Sequence, residues 1–167
     1  SLWVGWPGVS SNILDSKSKN KIIDDLEKFQ YRPVFLDDEE LDNFYFGFSN
    51  KCLWPLFHYF IEYHHFDIKQ WEFYIEVNKK FAEEVLEVIE DGDIVWIHDY
   101  QLMLCPQMIK DQKPEVTIGF FLHIPFPSFE IFRIFPERER LLNGLLGADV
   151  IGFHTYDYER HFLSSVK

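Results

Sequence analysis

The stretch from residue 94 to residue 127, IVWIHDYQLMLCPQMIKDQKPEVTIGFFLHIPFP, decides how this chain folds. It holds two short, mostly apolar runs, Ile94–Ile97 and Val116–Leu122, and each stops abruptly at polar residues. His98-Asp99-Tyr100 follows the first run and His123-Ile124-Pro125-Phe126-Pro127 the second. Runs of this length fit β-strands, and Tyr100–Gln112 between them fits a helix that carries the chain back across the sheet. Strand, helix and strand then make a right-handed crossover unit. Open α/β sheets bind ligands just beyond the carboxyl ends of parallel strands, so Asp99 and His123 become candidates for one shared pocket.

Working outward, the same alternation continues. Leu2–Trp6 reads as a strand that ends in the turn Gly5-Trp6-Pro7-Gly8. Lys17–Phe29 carries Ile22, Ile23, Leu26 and Phe29 at helical spacing, and Pro33–Leu36 is a short apolar run. Asp37 with Glu40 fits a capping box that starts a helix running toward Phe46. The aromatic segment Phe44–Phe60, broken by Gly47, Ser49, Asn50 and Pro55, reads as helical turns and loop, and Glu62–Phe66 as loop. Asp67 with Gln70 opens a long helix with Tyr74, Val77, Phe81, Val85 and Val88 on one face, closed by Asp91-Gly92. Beyond the crossover unit, Glu137–Leu146 fits a helix, Asp149–Phe153 a strand and Thr155 onward another helix. The pattern predicts an α/β domain with a doubly wound, mainly parallel sheet.

Length and composition bound the function. The 167 residues suit a single domain, and an aromatic content of 19% is far above what a disordered chain carries. A net charge of -12 argues against binding nucleic acid or an anionic membrane surface, both of which need a basic footprint. No run approaches the length of a membrane span and no secretory signal is present, so the chain reads as soluble and cytoplasmic. Cys52 and Cys105 lack metal-ligand spacing and read as buried thiols.

Several residues fit two roles. Asp99 suits a helix N-cap, and equally a carboxylate that accepts hydrogen bonds from a polyhydroxyl ligand or takes a proton. His123 fits a structural histidine, or an imidazole held by the rigid Pro125-Phe126-Pro127 frame. Tyr45 and Trp54 fit core positions, or rings on which the C–H face of a sugar packs. The remaining histidines, including His98 and His154, read as structural or surface residues, and no metal site is indicated. Gly5-Trp6-Pro7-Gly8 is not a dinucleotide fingerprint, which counts against a nicotinamide-dependent dehydrogenase.

Five segments together resemble the trehalose-6-phosphate synthases of glycosyltransferase family 20. They are WVGWPG at Trp3–Gly8, GFSNKCLWPLFHY at Gly47–Tyr59, GDIVWIHDYQLML at Gly92–Leu104, IGFFLHIPFPSFEIFR at Ile118–Arg133 and GADVIGFHTYDYERHF at Gly147–Phe162. The resemblance runs in order along nearly the whole chain. It implies the Rossmann-like N-terminal half of a GT-B glycosyltransferase, with residues 1–167 as a single, incomplete acceptor-side domain and the nucleotide-sugar domain absent. The implied reaction moves glucose from UDP-glucose to glucose 6-phosphate with retention and without a metal or other cofactor. By the same resemblance, Tyr45 and Trp54 match acceptor-pocket aromatics, Asp99 the acidic residue holding the acceptor sugar, and His123 the histidine facing the donor glucose. Trp6 matches a residue bordering the acceptor pocket.

Asp99 and His123 can orient two sugars, but neither offers a sink for a departing diphosphate, which needs cations or helix N-termini. Residues 1–167 alone are therefore expected to be inactive. The alternative reading is a non-catalytic synthase-like scaffold or regulatory domain of a fusion with a trehalose-phosphate phosphatase. The presence of Tyr45, Trp54, Asp99 and His123 favours the enzyme.

Overall fold

The central crossover unit forms where the sequence predicts it, and its flanking elements build one α/β layer structure around it. A computed structural model describes all residues, Ser1–Lys167. In chain order, β1 (Trp3–Gly5), α1 (Ser16–Glu27) and β2 (Tyr31–Pro33) form a first parallel pair with its connecting helix. A short helix α2 (Asp38–Glu40) follows, opened by the anticipated Asp37 and Glu40 capping box. It runs without a break into a π-helix, Leu41–Leu53, and then α3 (Trp54–Phe57). The long α4 (Ile68–Val88), capped by Asp67, leads to β3 (Ile94–His98). A 3-10 turn (Tyr100–Leu102), α5 (Cys105–Gln112) and β4 (Thr117–Phe121) complete the unit. The chain ends in α6 (Phe129–Phe132), α7 (Arg138–Leu145), β5 (Val150–Gly152) and α8 (Tyr156–Ser165). No helix is long and apolar enough to cross a membrane.

Three sequence expectations are corrected. Tyr100–Gln112 is not one helix, because Pro106 lies in the first turn of α5 and the backbone between Asp99 and Leu104 takes a tighter path. Phe44–Phe60 is mostly continuous helix rather than broken turns, of the wider kind whose N–H groups reach back five residues, as Trp54 N does to Ser49 O. The second strand lies at Tyr31–Pro33, one step before the apolar run Pro33–Leu36. In that run Val34 and Leu36 are core residues instead.

Every strand pairing is parallel, as the fold class requires, but the strands fall into two pieces, β1 with β2 and β3-β4-β5 in that order. Side chains alternate across the larger piece. Ile97, Ile118, Phe120 and Leu122 are buried beneath the helices, whereas Trp96 and His98 stand on the open face. On that face Gly119 and Gly152 lie under aromatic rings. A Cβ at Gly119 would come within 2.1 Å of the Trp96 ring, and one at Gly152 within 2.5 Å of Phe121.

The buried side chains form one contiguous cluster, so the chain has a single core. Its centre is aromatic: the Phe48 ring lies 5.2 Å from Trp71, 4.7 Å from Tyr74 and 6.1 Å from Phe135, joining the π-helix to α4 and to the segment before α7. Offset and tilted rings at these separations add roughly 0.5–1.5 kcal/mol per pair beyond area burial.

At Gly144 two effects oppose each other. A Cβ there would sit 2.6 Å from Met103 O and 2.8 Å from Leu104 Cα, both backbone atoms that cannot turn aside. Helix propensity favours Gly144→Ala by about 0.5–1 kcal/mol, but overpacking costs roughly 1–3 kcal/mol. The substitution is expected to lower the urea midpoint at unchanged slope. A raised midpoint would show that α7 can move away from the Met103-Leu104 turn.

Candidate active site

The carboxyl ends of β3 and β4 bring Asp99 and His123 together. Asp99 N bonds Phe121 O at 2.8 Å, so the backbone of the first loop continues the ladder to β4. The Asp99 side chain then reaches across the loops, and its Oδ1 accepts from the backbone N–H of His123 at 3.1 Å. The N-cap reading of Asp99 is overturned, for its side chain makes no capping bond to the turn that follows. What the sequence does not reveal is its backbone, φ 75° and ψ 173°. That region is essentially reserved for glycine and costs of order 1–3 kcal/mol in another residue. A strained carboxylate at a strand terminus, with no protein partner on Oδ2, makes Asp99 a candidate site residue rather than a cap.

The turn after Asp99 is held by two buried polar side chains of α4. Tyr74 Oη donates to Tyr100 O at 2.7 Å and accepts from Met103 N at 3.2 Å. Asn78 Nδ2 donates to Gln101 O at 2.9 Å, while its Oδ1 accepts from Leu104 N at 3.1 Å. Cys105 Sγ lies 3.1 Å from Asn78 O, and burial pushes this thiol up, as it pushes Cys52 to about 12. Both cysteines are therefore inert structural thiols, as their spacing implies.

The π-helix supplies a second wall. Tyr45 and Trp54 are nine residues apart, which in an α-helix would set them on opposite sides. At the roughly four and a half residues per turn of an i→i+5 helix they return to the same side. Asn50 falls between them, and its Oδ1 accepts from Tyr100 Oη at 2.9 Å, which turns this face toward the residue next to Asp99. Burial, Asp99 and Tyr45 together raise the Tyr100 hydroxyl to about 12. Tyr45 and Trp54 are 39% and 38% exposed, so neither is a core residue. Trp54 stacks on His58 at 3.9 Å, and the neighbouring Tyr59 accepts from Ser128 N at 2.8 Å, tying this wall to the loop after His123. Trp6 is likewise half-exposed, its Nε1 donating to Val9 O at 3.1 Å.

Two histidines set aside in the sequence reading belong to this rim. His98 Nδ1 is 3.0 Å from His123 Nε2, so one ring donates and the other accepts. His154 meets His123 edge to face at 5.7 Å. The available signal was periodicity, since His98 and His123 end paired strands whose register matches His98 with Phe121, two residues before His123. Burial, then His123, lowers the pKa of His98, with Asp99 opposing. No arginine or lysine bonds Asp99, His98 or His123; Arg32 is engaged by Glu84 and Glu87, and Lys110 by Asp149. The rim can orient neutral polyhydroxyl groups but holds no counter-charge for a phosphate.

Comparison with known proteins gives the chain a family. The model of glycosyltransferase family 20 matches residues 1–167. An alpha,alpha-trehalose-phosphate synthase (UDP-forming) of Pichia angusta is 52% identical, aligned over 99% of this chain and 36% of its own length. Such a synthase from Burkholderia xenovorans, solved in complex with glucose-6-phosphate, superimposes with a TM-score of 0.85. It is 28% identical and aligns over 99% of this chain and 36% of its own. The N-terminal domain of a Candida albicans trehalose-6-phosphate phosphatase superimposes with a TM-score of 0.82 at 36% identity, over 97% of this chain and 34% of its own. The chain thus spans about a third of the length of the relatives it matches. Its architecture is that of the Rossmann-like half of a GT-B glycosyltransferase.

Two outcomes follow from the rim. Glycine relieves the backbone strain at residue 99, whereas alanine keeps the strain and loses the carboxylate. Asp99→Gly is therefore expected to be more stable than Asp99→Ala by about 1–3 kcal/mol in chemical denaturation; equal stabilities would mean the loop relaxes freely. His98 binds its proton less readily folded than unfolded. Its protonation accordingly costs stability as pH falls through 6.5, and nothing above it. An NMR titration of its ring is expected to give a midpoint below 6.5, and a midpoint above that value would contradict this environment.

Proposed function

The chain belongs to glycosyltransferase family 20, and from that membership and the strained Asp99 loop we propose that it is the acceptor-side domain of a trehalose-6-phosphate synthase. The products named for its relatives support this reading, and balance then supplies the steps. A trehalose phosphate is a glucose phosphate plus one glucosyl unit, and release of UDP makes UDP-glucose the donor. The C1–O bond to UDP breaks and a bond from C1 to the acceptor's anomeric oxygen forms. The acceptor's hydroxyl proton leaves with the diphosphate, and the configuration at C1 is retained.

In this reading the free Oδ2 of Asp99 accepts from hydroxyls of the acceptor sugar. Tyr45 and Trp54, on one face of the π-helix, pack against its ring. His123, fixed by His98 and by the Asp99 bond to its own backbone, presents its remaining ring nitrogen to the donor glucose. Strain held in the loop supports this role, because a preorganised carboxylate needs no rearrangement when charge develops on the sugars. The transfer builds positive charge at the anomeric carbon and negative charge on the diphosphate. With no cation on the rim, the electrostatic sink falls to a nucleotide-sugar domain outside residues 1–167. Retaining transfer in this arrangement calls on no metal.

A second reading is favoured by one observation, the likeness to a phosphatase's N-terminal domain: the same fold can serve as a scaffold. The full-length gene product separates the two. Incubated with UDP-glucose and glucose 6-phosphate, it is expected to release UDP, whereas residues 1–167 alone are expected to release none. Asp99→Asn in the full-length protein is expected to lower kcat/KM at least about 100-fold, roughly 2.7 kcal/mol of transition-state stabilisation. An inactive wild-type protein would favour the scaffold, and an unaltered rate in Asp99→Asn would remove Asp99 from the site.

A further inference from the structure

The loop that carries His123 is fastened by side chains alone. No backbone–backbone hydrogen bond reaches any residue from His123 to Pro127. At its start Asp99 Oδ1 accepts from His123 N, in its middle His161 Nδ1 donates to Phe126 O at 3.0 Å, and at its end Tyr59 Oη accepts from Ser128 N at 2.8 Å. Phe126 is fully buried and sets the depth of the loop. Pro125 and Pro127 each fix φ, so the piece between the two ends is stiff and its tilt follows from where the ends are held.

Tyr59 occupies a position that suits glycine. It follows α3 with φ 66°, and the bonds from Tyr59 N to Leu56 O (3.3 Å) and from Phe60 N to Pro55 O (2.8 Å) are the nested pair that closes a helix through a left-handed residue. A tyrosine there keeps a steric cost that glycine would remove. Packing does not offset it, for the side chain is 46% exposed and lies outside the buried cluster. Nor does the stability of the bond, because at an exposed site water can serve the Ser128 N–H and the net gain is small. What water cannot do is fix that N–H in space. Three residues other than glycine have positive φ, and two of them, Asp99 and Tyr59, send their side chains to opposite ends of this one loop.

We propose that Tyr59 is a positioning residue of the transfer reaction: its hydroxyl holds the far end of the His123 loop and so sets the imidazole relative to the Tyr45 and Trp54 wall. The assignment rests on the synthase reading of this rim. Trp54 opens α3 and Tyr59 follows its last turn, so one short helix carries both a ring of the acceptor wall and the tether of the donor-side loop. The two sugars must be held in line for C1 to meet the acceptor oxygen, and a displacement of about 1 Å can cost roughly 100-fold in rate. In this assignment the Tyr59 hydroxyl acts through Ser128 and His123, and not on a sugar.

A double-mutant cycle in the full-length gene product tests it, with UDP release from UDP-glucose and glucose 6-phosphate as the readout. Tyr59→Phe keeps the ring and removes the accepting oxygen. It is expected to lower kcat at least about 10-fold while KM for glucose 6-phosphate stays within about 3-fold. In a His123→Ala background the same change is expected to lower kcat by less than about 2-fold, since its effect passes through the imidazole. Tyr59→Gly relieves the backbone and is expected to be as slow as Tyr59→Phe at a urea midpoint no lower than that of Tyr59→Phe, which separates positioning from folding. Wild-type kcat in either Tyr59 variant, or losses that multiply in the double variant, overturns the assignment of Tyr59, and leaves the rim reading intact where His123→Ala alone is slow. A His123→Ala enzyme at the wild-type rate, or an inactive wild-type protein, overturns the synthase reading of the rim and the Tyr59 assignment with it.

Discussion

Two side chains of α4, Tyr74 and Asn78, hold the turn on which the rest of the site depends. The segment Tyr100–Leu104 leaves a strand, passes through a short tight turn and enters α5, so several of its backbone groups, among them Tyr100 O, Gln101 O, Met103 N and Leu104 N, turn to side chains for partners. Tyr74 Oη serves one carbonyl and one N–H, and Asn78 serves another of each. A buried backbone group left unpaired costs about 1–3 kcal/mol, so the two residues prevent a penalty larger than the net gain of the bonds themselves. They also fix the turn's position, and with it the strained residue before it. Asp99 can persist in a glycine-like conformation because the loop is fastened on both sides, to β4 through its N–H and to α4 through the turn.

The strain is directed. It aims the Asp99 carboxylate at the backbone of the neighbouring loop, so one oxygen ties the loops together and the other has no partner within the protein. His98 and His123 complete the arrangement with a bond between their rings. The wall opposite comes from a helix of unusual pitch, whose buried face carries Phe44, Phe48 and Cys52 and whose open face carries Tyr45, Asn50 and Trp54. The rim thus combines rigidity with polar groups that are only half-satisfied by the protein, which is the condition for binding a hydroxyl-rich molecule. Its lack of cations matches the acidity of the whole chain; under the proposed function, sugars would bind here and phosphates elsewhere.

Much of this was legible in the residues. The two apolar runs and their abrupt polar ends gave both strands and the meeting of Asp99 with His123, because parallel strands joined by one crossover must end at the same rim. Capping chemistry located α4 correctly through Asp67 and Gln70. The pitch of the helix through Tyr45 was not legible, since a five-residue return differs too little from a four-residue one in a segment that is apolar on most sides. Asn78 was hidden for a related reason: on α4 it looks like an interruption of an apolar face, and only the position of a loop more than twenty residues away gives it work. The backbone angle of Asp99 has no sequence signature, because aspartate signals a cap far more often than it signals strain. The division of the sheet into two pieces was not legible because apolar content indicates that a strand is covered, not by what.

The pitch of Leu41–Leu53 bears on how this segment can change over time. Substitutions on its open face leave the helix intact, but a one-residue deletion between Tyr45 and Trp54 would rotate everything downstream by roughly 80–100°. The tryptophan would swing away from the rim and a core phenylalanine would swing out. Length, more than identity, is therefore the property of this segment that inheritance must preserve.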